Sequence, residues 1–369
     1  PAPWYALSDC RYSTNLTFTN NTFTLKSNQQ NGLAVYLRNW HTITMTGNTR
    51  FGAWRGERGV INSVIDDGGN GYSFQKWGNG RLTLTGANTY SGDTIVSGGQ
   101  LMLSNPNGPA LYNVAGSPGT RQDNPGRVII RHDEGAGWVY PNVAANLEFG
   151  EDHQLGAKVD IHFDAVKPYS YMSLRDTEQE VGNLSATGNP IWAVLQNYED
   201  KIQDENHGSG FGHLIINQDE DLTYVGYIRN SWTRGSNDSD PLKITKKGAG
   251  KLTISTGSKN TGGIHVKEGM LQIGDGNARG ALLNSNAVTI DAGATLRYYR
   301  TDRQNVEGVI RIGHDITGDG TLIFASNNWN SSGVGVKGAG DYRYTGTNTL
   351  SSSANFIIDN ARLVVFDQA

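Results

Sequence analysis

Apolar residues in this chain fall mainly at every second position, in short runs that end in glycine, asparagine or serine. A two-residue period bounded by turn formers predicts half-buried strands and argues against helix. The clearest case is residues 77–103, WGNGRLTLTGANTYSGDTIVSGGQLML. Leu82 and Leu84 alternate with Thr83 and Thr85, a turn runs from Gly86 to Gly92, and Thr94-Ile95-Val96 forms a second run. Gly98-Gly99 turns the chain again, and Leu101 and Leu103 open a third run.

The pattern returns 170 positions later, over residues 246–274, without a gap. Gly78, Gly80, Leu82, Thr83, Gly92, Val96, Gly99 and Leu101 recur as Gly248, Gly250, Leu252, Thr253, Gly262, Val266, Gly269 and Leu271. A weaker copy at 344–365 keeps Gly346, Asn348, Thr349, Ser351, Leu363 and Val365. Such self-similarity marks a repeat architecture. Leu82 to Leu101 and Leu84 to Leu103 each span nineteen residues, as do Leu252 to Leu271 and Ile254 to Ile273. Nineteen residues hold three strands of about four residues and three turns. If the chain regains its direction after that interval, Leu101 stacks on Leu82 about 4.8 Å above it. The expected fold is therefore all-β: a right-handed, three-faced parallel β-helix with loop insertions and an N-terminal cap. The rival is an antiparallel sandwich. No Asn-Gly or Asp-Gly hairpin turn lies between Leu82 and Leu101, which favours the coil.

Gly80, Leu82, Leu84, Thr85, Gly86, Asn88, Thr89, Tyr90, Ser91, Gly92, Thr94, Val96, Gly99 and Leu101 together resemble the passenger-associated repeat of Gram-negative bacterial autotransporters. The copies at 246 and 344 lack the Thr-Tyr-Ser-Gly turn. The resemblance implies a pectin-lyase-like β-helix that is exported through the outer membrane to the bacterial cell surface. It also implies a C-terminal translocator barrel, which this chain does not contain. Passengers of the AIDA type act as adhesins, by self-association or by binding host matrix. A host matrix glycan or a glycoprotein such as fibronectin is then the expected partner, with a role in aggregation and biofilm.

The whole of 1–369 reads as one elongated unit, with the cap and first coil in 1–25, where Trp4 and Tyr5 are candidate cap residues. Loops are expected near 105–126, 197–212, 229–241 and 326–340, where alternation stops. Roughly eighteen coils would give a rod on the order of 80 Å, less whatever the insertions consume. Composition agrees: 48 glycines bring a low apolar share of 36% into the globular range. The single cysteine, Cys10, has no internal partner for a disulfide. No apolar run is long enough for a membrane helix, and the start at Pro1-Ala2-Pro3-Trp4 reads as that of a trimmed product.

Catalytic signatures are missing from the sequence. There is no G-x-S-x-G nucleophile motif and no H-E-x-x-H zinc helix, and the histidines are scattered. Gly333 to Gly338 matches G-x-G-x-x-G by composition, outside any βαβ context. Gly68 to Ser73 opens like a calcium nonapeptide but lacks the required Asp. Asp66-Asp67, Glu151-Asp152 and Asp219-Glu220-Asp221 read as solvated loops. No catalytic residue, metal or cofactor is therefore assigned. A polysaccharide lyase or hydrolase would need converging carboxylates, for which Asp66, Asp67 and Glu134 with Arg131 are the candidates. A passive stalk is the other alternative.

Basic residues cluster with aromatics in three places: Arg50, Trp54, Arg55 and Arg58; Lys76, Trp77 and Arg81; and Arg297, Tyr299 and Arg300. In GRVIIRH, Val128 and Ile130 should point inward, leaving Arg127 and Arg131 on the outer face. Guanidinium forks bind sulfate and carboxylate, and aromatic faces stack on sugars. Stacked coils would align these residues into a stripe for a glycosaminoglycan-like polyanion. A net charge of -4 argues against nucleic acid.

Overall fold

The computed structural model describes residues 15–18, 22–25, 35–37, 42–53, 58–112, 114–115, 117–118, 126–132, 144–156, 158–198, 210–231, 240–277, 279–282, 286–300, 309–326, 341–361 and 363–366. The expected cap residues and Cys10 lie outside these, as do most of the loops.

The described chain is a parallel β-helix. Its long face is a thirteen-stranded sheet running from Thr22–Leu25 to Asn355–Asp359. A ten-stranded second face runs from Val35–Leu37 to Ala281–Leu282. The strands Val309–Ile312, Asp341–Tyr344 and Leu363–Phe366 succeed it in chain order as a separate sheet. The third face opens with three strands, Asn15–Phe18, Thr42–Met45 and Val64–Asp66. It passes through single bridges joining Asn88, Leu111 and Leu155, then resumes as seven strands from Glu178–Val181 to Asn348–Leu350. The chain visits long, second and third faces in turn. Pairing is parallel in these sheets, and the short pair Val114–Ala115 with Ser117–Pro118 is antiparallel.

The nineteen-residue return holds. Leu82 pairs with Leu101 and Leu84 with Leu103; Leu252 pairs with Leu271 and Ile254 with Ile273. From Leu101 the inward column continues through Leu147, Met172, Leu195 and Ile228, all with no exposure. A second column, Leu252, Leu271, Leu296 and Leu322, is equally dry. Each such side chain contributes roughly 1.5–3 kcal/mol by leaving water. Thirteen rungs at about 4.8 Å give a rod of about 58 Å, shorter than eighteen coils would make it. The difference is chain spent between strands. The connections 26–34, 131–144, 300–308 and 326–340 all leave the long face for the second, so insertions gather along one edge.

Residues 105–112 are not part of a projecting loop. Ala110 and Leu111 are buried, and Leu111 supplies the rung between Asn88 and Leu155. The buried Gln154 amide holds this segment, donating from Nε2 to the carbonyls of Asn105 and Gly108. Backbone polar groups here are satisfied by a side chain instead of a ladder, so no alternation betrays the packing.

The repeat glycines have a steric cause. Gly99 and Gly269 sit at φ 62° and 63°. A Cβ at Gly99 would lie 2.4 Å from the carbonyl oxygens of Gly78 and Gly80; at Gly269 it would lie 2.4 Å from that of Gly248. Only glycine fits where one coil's turn rests on the turn below.

Candidate functional site

The edge between the long and second faces brings the first two basic-aromatic clusters together. Arg50 and Gly52 on Thr49–Ala53 pair with Gln75 and Trp77 on Phe74–Trp77. Across the edge, Arg58 at the head of Arg58–Ile61 pairs with Arg81 at the head of Arg81–Leu84. Two clusters 26 residues apart by their first members, Arg50 and Lys76, thus occupy adjacent coils. Gly52 makes the seat for the Trp77 indole: a Cβ there would lie 2.6 Å from Trp77 Cε2. The exposed Arg50 guanidinium lies 5.2 Å from the indole centroid, a cation–π arrangement. Arg58 is exposed. Trp54 and Arg55 lie outside the described residues.

Two members of these clusters face elsewhere. Lys76 is not a ligand-binding candidate. It stands in the inward column between Phe51 and Val96 and has no exposure. Its Nζ donates to the carbonyls of Trp77 (3.0 Å), Gly78 (2.9 Å) and Gly98 (2.8 Å). Lys246 repeats this in the second copy, donating to Lys247 (2.8 Å), Gly248 (2.7 Å) and Glu268 (3.1 Å). Burial lowers Lys246 from 10.5 to about 8, against the pull of Glu268, Asp219 and Asp221. An ammonium on a long stem ties a turn to the turn above it. Sequence reading placed Lys76 with the surface because Trp77 and Arg81 flank it. The signal that distinguishes it is its recurrence, 170 residues on, ahead of the same glycine turn.

Arg81 is largely buried, donating from Nε to Gln100 Oε1 (3.0 Å) and pairing with Glu148 at 3.4 Å. Glu148, 2% exposed, also receives Asn146 and Gln100 and lies 3.6 Å from Arg175. A carboxylate between two guanidiniums anchors the outer side of the second face and gives that stretch a settled charge balance.

Val128 and Ile130 point inward as expected, at 1% and 0% exposure. Arg127 is exposed and pairs with Asp93 at 4.0 Å. Arg131 is half-buried and follows Ile130, which aligns through Val96 with Lys76. It therefore stands two strands from Trp77 in the same row. The third cluster is remote, eight strands along the long face from Trp77. Arg297 lies 4.6 Å from the Tyr299 centroid and pairs with Asp359 at 2.9 Å. Arg300 is half-buried, its backbone N–H donating to Tyr342 Oη.

Register also assembles a group that linear reading missed. Tyr171, Val194 and Tyr227 follow one another in the outer row of the second face. One row over, Gln196 is followed by Arg229 and Lys259, and the last two pair directly. Arg229 lies 5.9 Å from the Tyr171 centroid, and Lys259 Nζ lies 5.9 Å from that of Tyr227. Gln196 Oε1 accepts from Arg229 Nε (2.8 Å) and Nη2 (2.5 Å), fixing the fork without adding charge. Tyr169, 40% exposed and at φ 72°, lies 6.0 Å from Tyr171. These residues are spread over ninety positions, so no local window contains them.

The carboxylates considered for catalysis serve turns. Asp67, 1% exposed, accepts the N–H groups of Gly69 and Tyr72 and the Ser91 hydroxyl. Asp66 accepts Gly68 N–H and the Thr89 hydroxyl. Glu134 lies outside the described residues. The His162 ring meets Ser185 and Thr187, and burial, then Arg127, lowers its pKa. His213 bridges Glu178 and Thr245, and burial lowers it too.

Residues 74–103 and 244–273 match the family model of the passenger-associated-transport-repeat. Both matches begin on a long-face strand, pass through the lysine-tied turn and end on Leu103 and Ile273, one coil later. No curated protein and no solved structure gives a match.

Proposed function

From a chain with two autotransporter passenger repeats on a parallel β-helix, we propose a surface-exposed adhesin that binds anionic, glycosaminoglycan-like host matrix glycans. The repeat belongs to passenger domains, which are exported to the cell surface. The observation that carries the binding assignment is the union of Arg50, Trp77 and Arg58 on adjacent coils. Arg58 and Arg81 are like charges in direct register, an arrangement that costs energy in a bare sheet and that an anion relieves. Trp77 adds a flat apolar surface for a sugar ring beside the cations. The notebooked partners of the wider class, matrix glycoproteins among them, would be met through their acidic glycans.

The test is calorimetric titration with a heparin oligosaccharide, in low and moderate salt, of the wild type and an Arg50→Glu/Arg58→Glu variant. Both side chains are exposed, so the fold should survive. Salt-sensitive binding that weakens at least about tenfold in the variant supports the reading. No binding by the wild type at low ionic strength overturns it, and so does equal binding by the two proteins.

A further inference from the structure

Arg58 and Tyr227 belong to one outer row of the second face. The row runs Arg58, Arg81, Gln100, Asn146, Tyr171, Val194 and Tyr227. The neighbouring row runs Glu148, Ser173, Gln196, Arg229 and Lys259. The face therefore carries a cationic-aromatic group at each end. From Arg58–Ile61 to Gly257–Lys259 there are seven strand steps, or about 34 Å along the rod.

Between the ends the face offers no comparable attraction. Glu148 stands between Arg81 and Arg175, and Asn146, Ser173 and Gln196 have 0–1% exposure. At the far end the chemistry resumes. Lys259 is exposed, in register with Arg229, and each cation faces a tyrosine ring. Like charges on adjacent strands repel, so this pair, like Arg58 and Arg81, favours an anionic guest. Tyr227 is half-buried and Tyr169 exposed, offering ring surface beside the cations.

We propose that Tyr227, Arg229 and Lys259 form a second subsite for an anionic saccharide, and that one long polyanion lying along the rod occupies both ends of the face. This rests on the glycan-binding reading above and adds the second site and a length requirement. A fragment too short to span about 34 Å binds each end independently. A longer one gains from tethering: the second contact forms at the effective concentration set by the first. A linear repeat fold is suited to this, because rung spacing fixes the distance between the two groups.

The experiment titrates a length series of heparin oligosaccharides into the wild type, Lys259→Glu, Lys259→Gln and the Arg50→Glu/Arg58→Glu variant. Lys259 is exposed, and circular dichroism and melting confirm that each variant is folded. In the wild type, affinity should rise at least about tenfold once the fragment spans both groups, and stoichiometry should fall from two fragments per chain to one. Lys259→Glu should abolish the rise and leave short-fragment binding at the Arg50–Arg58 end; Lys259→Gln should weaken the rise. An undiminished rise in Lys259→Glu, or no rise in the wild type, overturns the second subsite while short-fragment binding keeps the first. Loss of short-fragment binding in Lys259→Glu but not in the arginine variant refutes the first site. No binding at any length refutes both.

Discussion

His314 makes acid stability a direct test of how the C-terminal coils are packed. The ring is 2% exposed, between the strands Val309–Ile312 and Ile316–Gly318. Its Nε2 shares a hydrogen bond with the Tyr298 hydroxyl, and its Nδ1 has no partner among the described residues. A second proton would place an imidazolium in a core lined by Tyr298, Phe324 and Tyr342. Burial therefore lowers its pKa from 6.5 to about 4, with nearby Asp315 opposing. The unfolded chain takes up the proton below about 6.5, while the folded chain resists until about 4. Stability from this group is complete above 6.5 and is lost as pH falls from 6.5 to 4. At about 1.36 kcal/mol per pH unit the loss is about 3 kcal/mol. His314→Gln keeps an amide oxygen for Tyr298 but cannot titrate. Urea midpoints at a series of pH values, with hydrogen exchange in Thr295–Tyr299 and Asp341–Tyr344, would compare the two proteins. His162 and His213 shift in the same sense in both, so the difference isolates His314. Parallel pH profiles for wild type and variant would refute the reasoning.

Lys246→Ala should cost about 2–4 kcal/mol, since it opens a void and strips one donor from three carbonyls; Lys246→Met, which keeps the volume, should cost less in the same denaturation assay. Between about 8 and 10.5 the unfolded chain holds a proton that folded Lys246 has released, so wild-type stability should gain from this group as pH rises through that window, and the methionine variant should lack the gain. Gly52→Ala should displace the Trp77 indole, shift tryptophan emission and destabilise by about 1–3 kcal/mol; unchanged emission would show that the ring does not rest there.

The inward and outward sides of the coil were legible in the sequence because each strand has a two-residue period and each coil a fixed return. Leu82, Leu101, Leu252 and Leu271 state that return without any structure, and the turn glycines mark where backbone meets backbone. What the period could not show is a polar residue placed inward. Lys76 and Lys246 occupy core columns because a flexible stem carries the charge to three carbonyls at the turn, a solution that depends on atoms from two coils. Nor could the period show Leu111 as a rung, since Gln154 supplies its neighbours' hydrogen bonds from across the coil.

The sequence by itself determined an all-β coil of nineteen-residue turns, because strand period, turn chemistry and repeat spacing are local quantities. Only the tertiary structure decided which outer residues are neighbours. Insertions of unequal length separate adjacent rungs by anything from nineteen residues, as between Leu82 and Leu101, to forty-six, as between Leu101 and Leu147. Register across those gaps is set by stacking of the inward columns. That stacking joins Arg58 to Arg81 and Arg229 to Lys259, and turns Lys76 away from the surface where its neighbours in sequence had placed it.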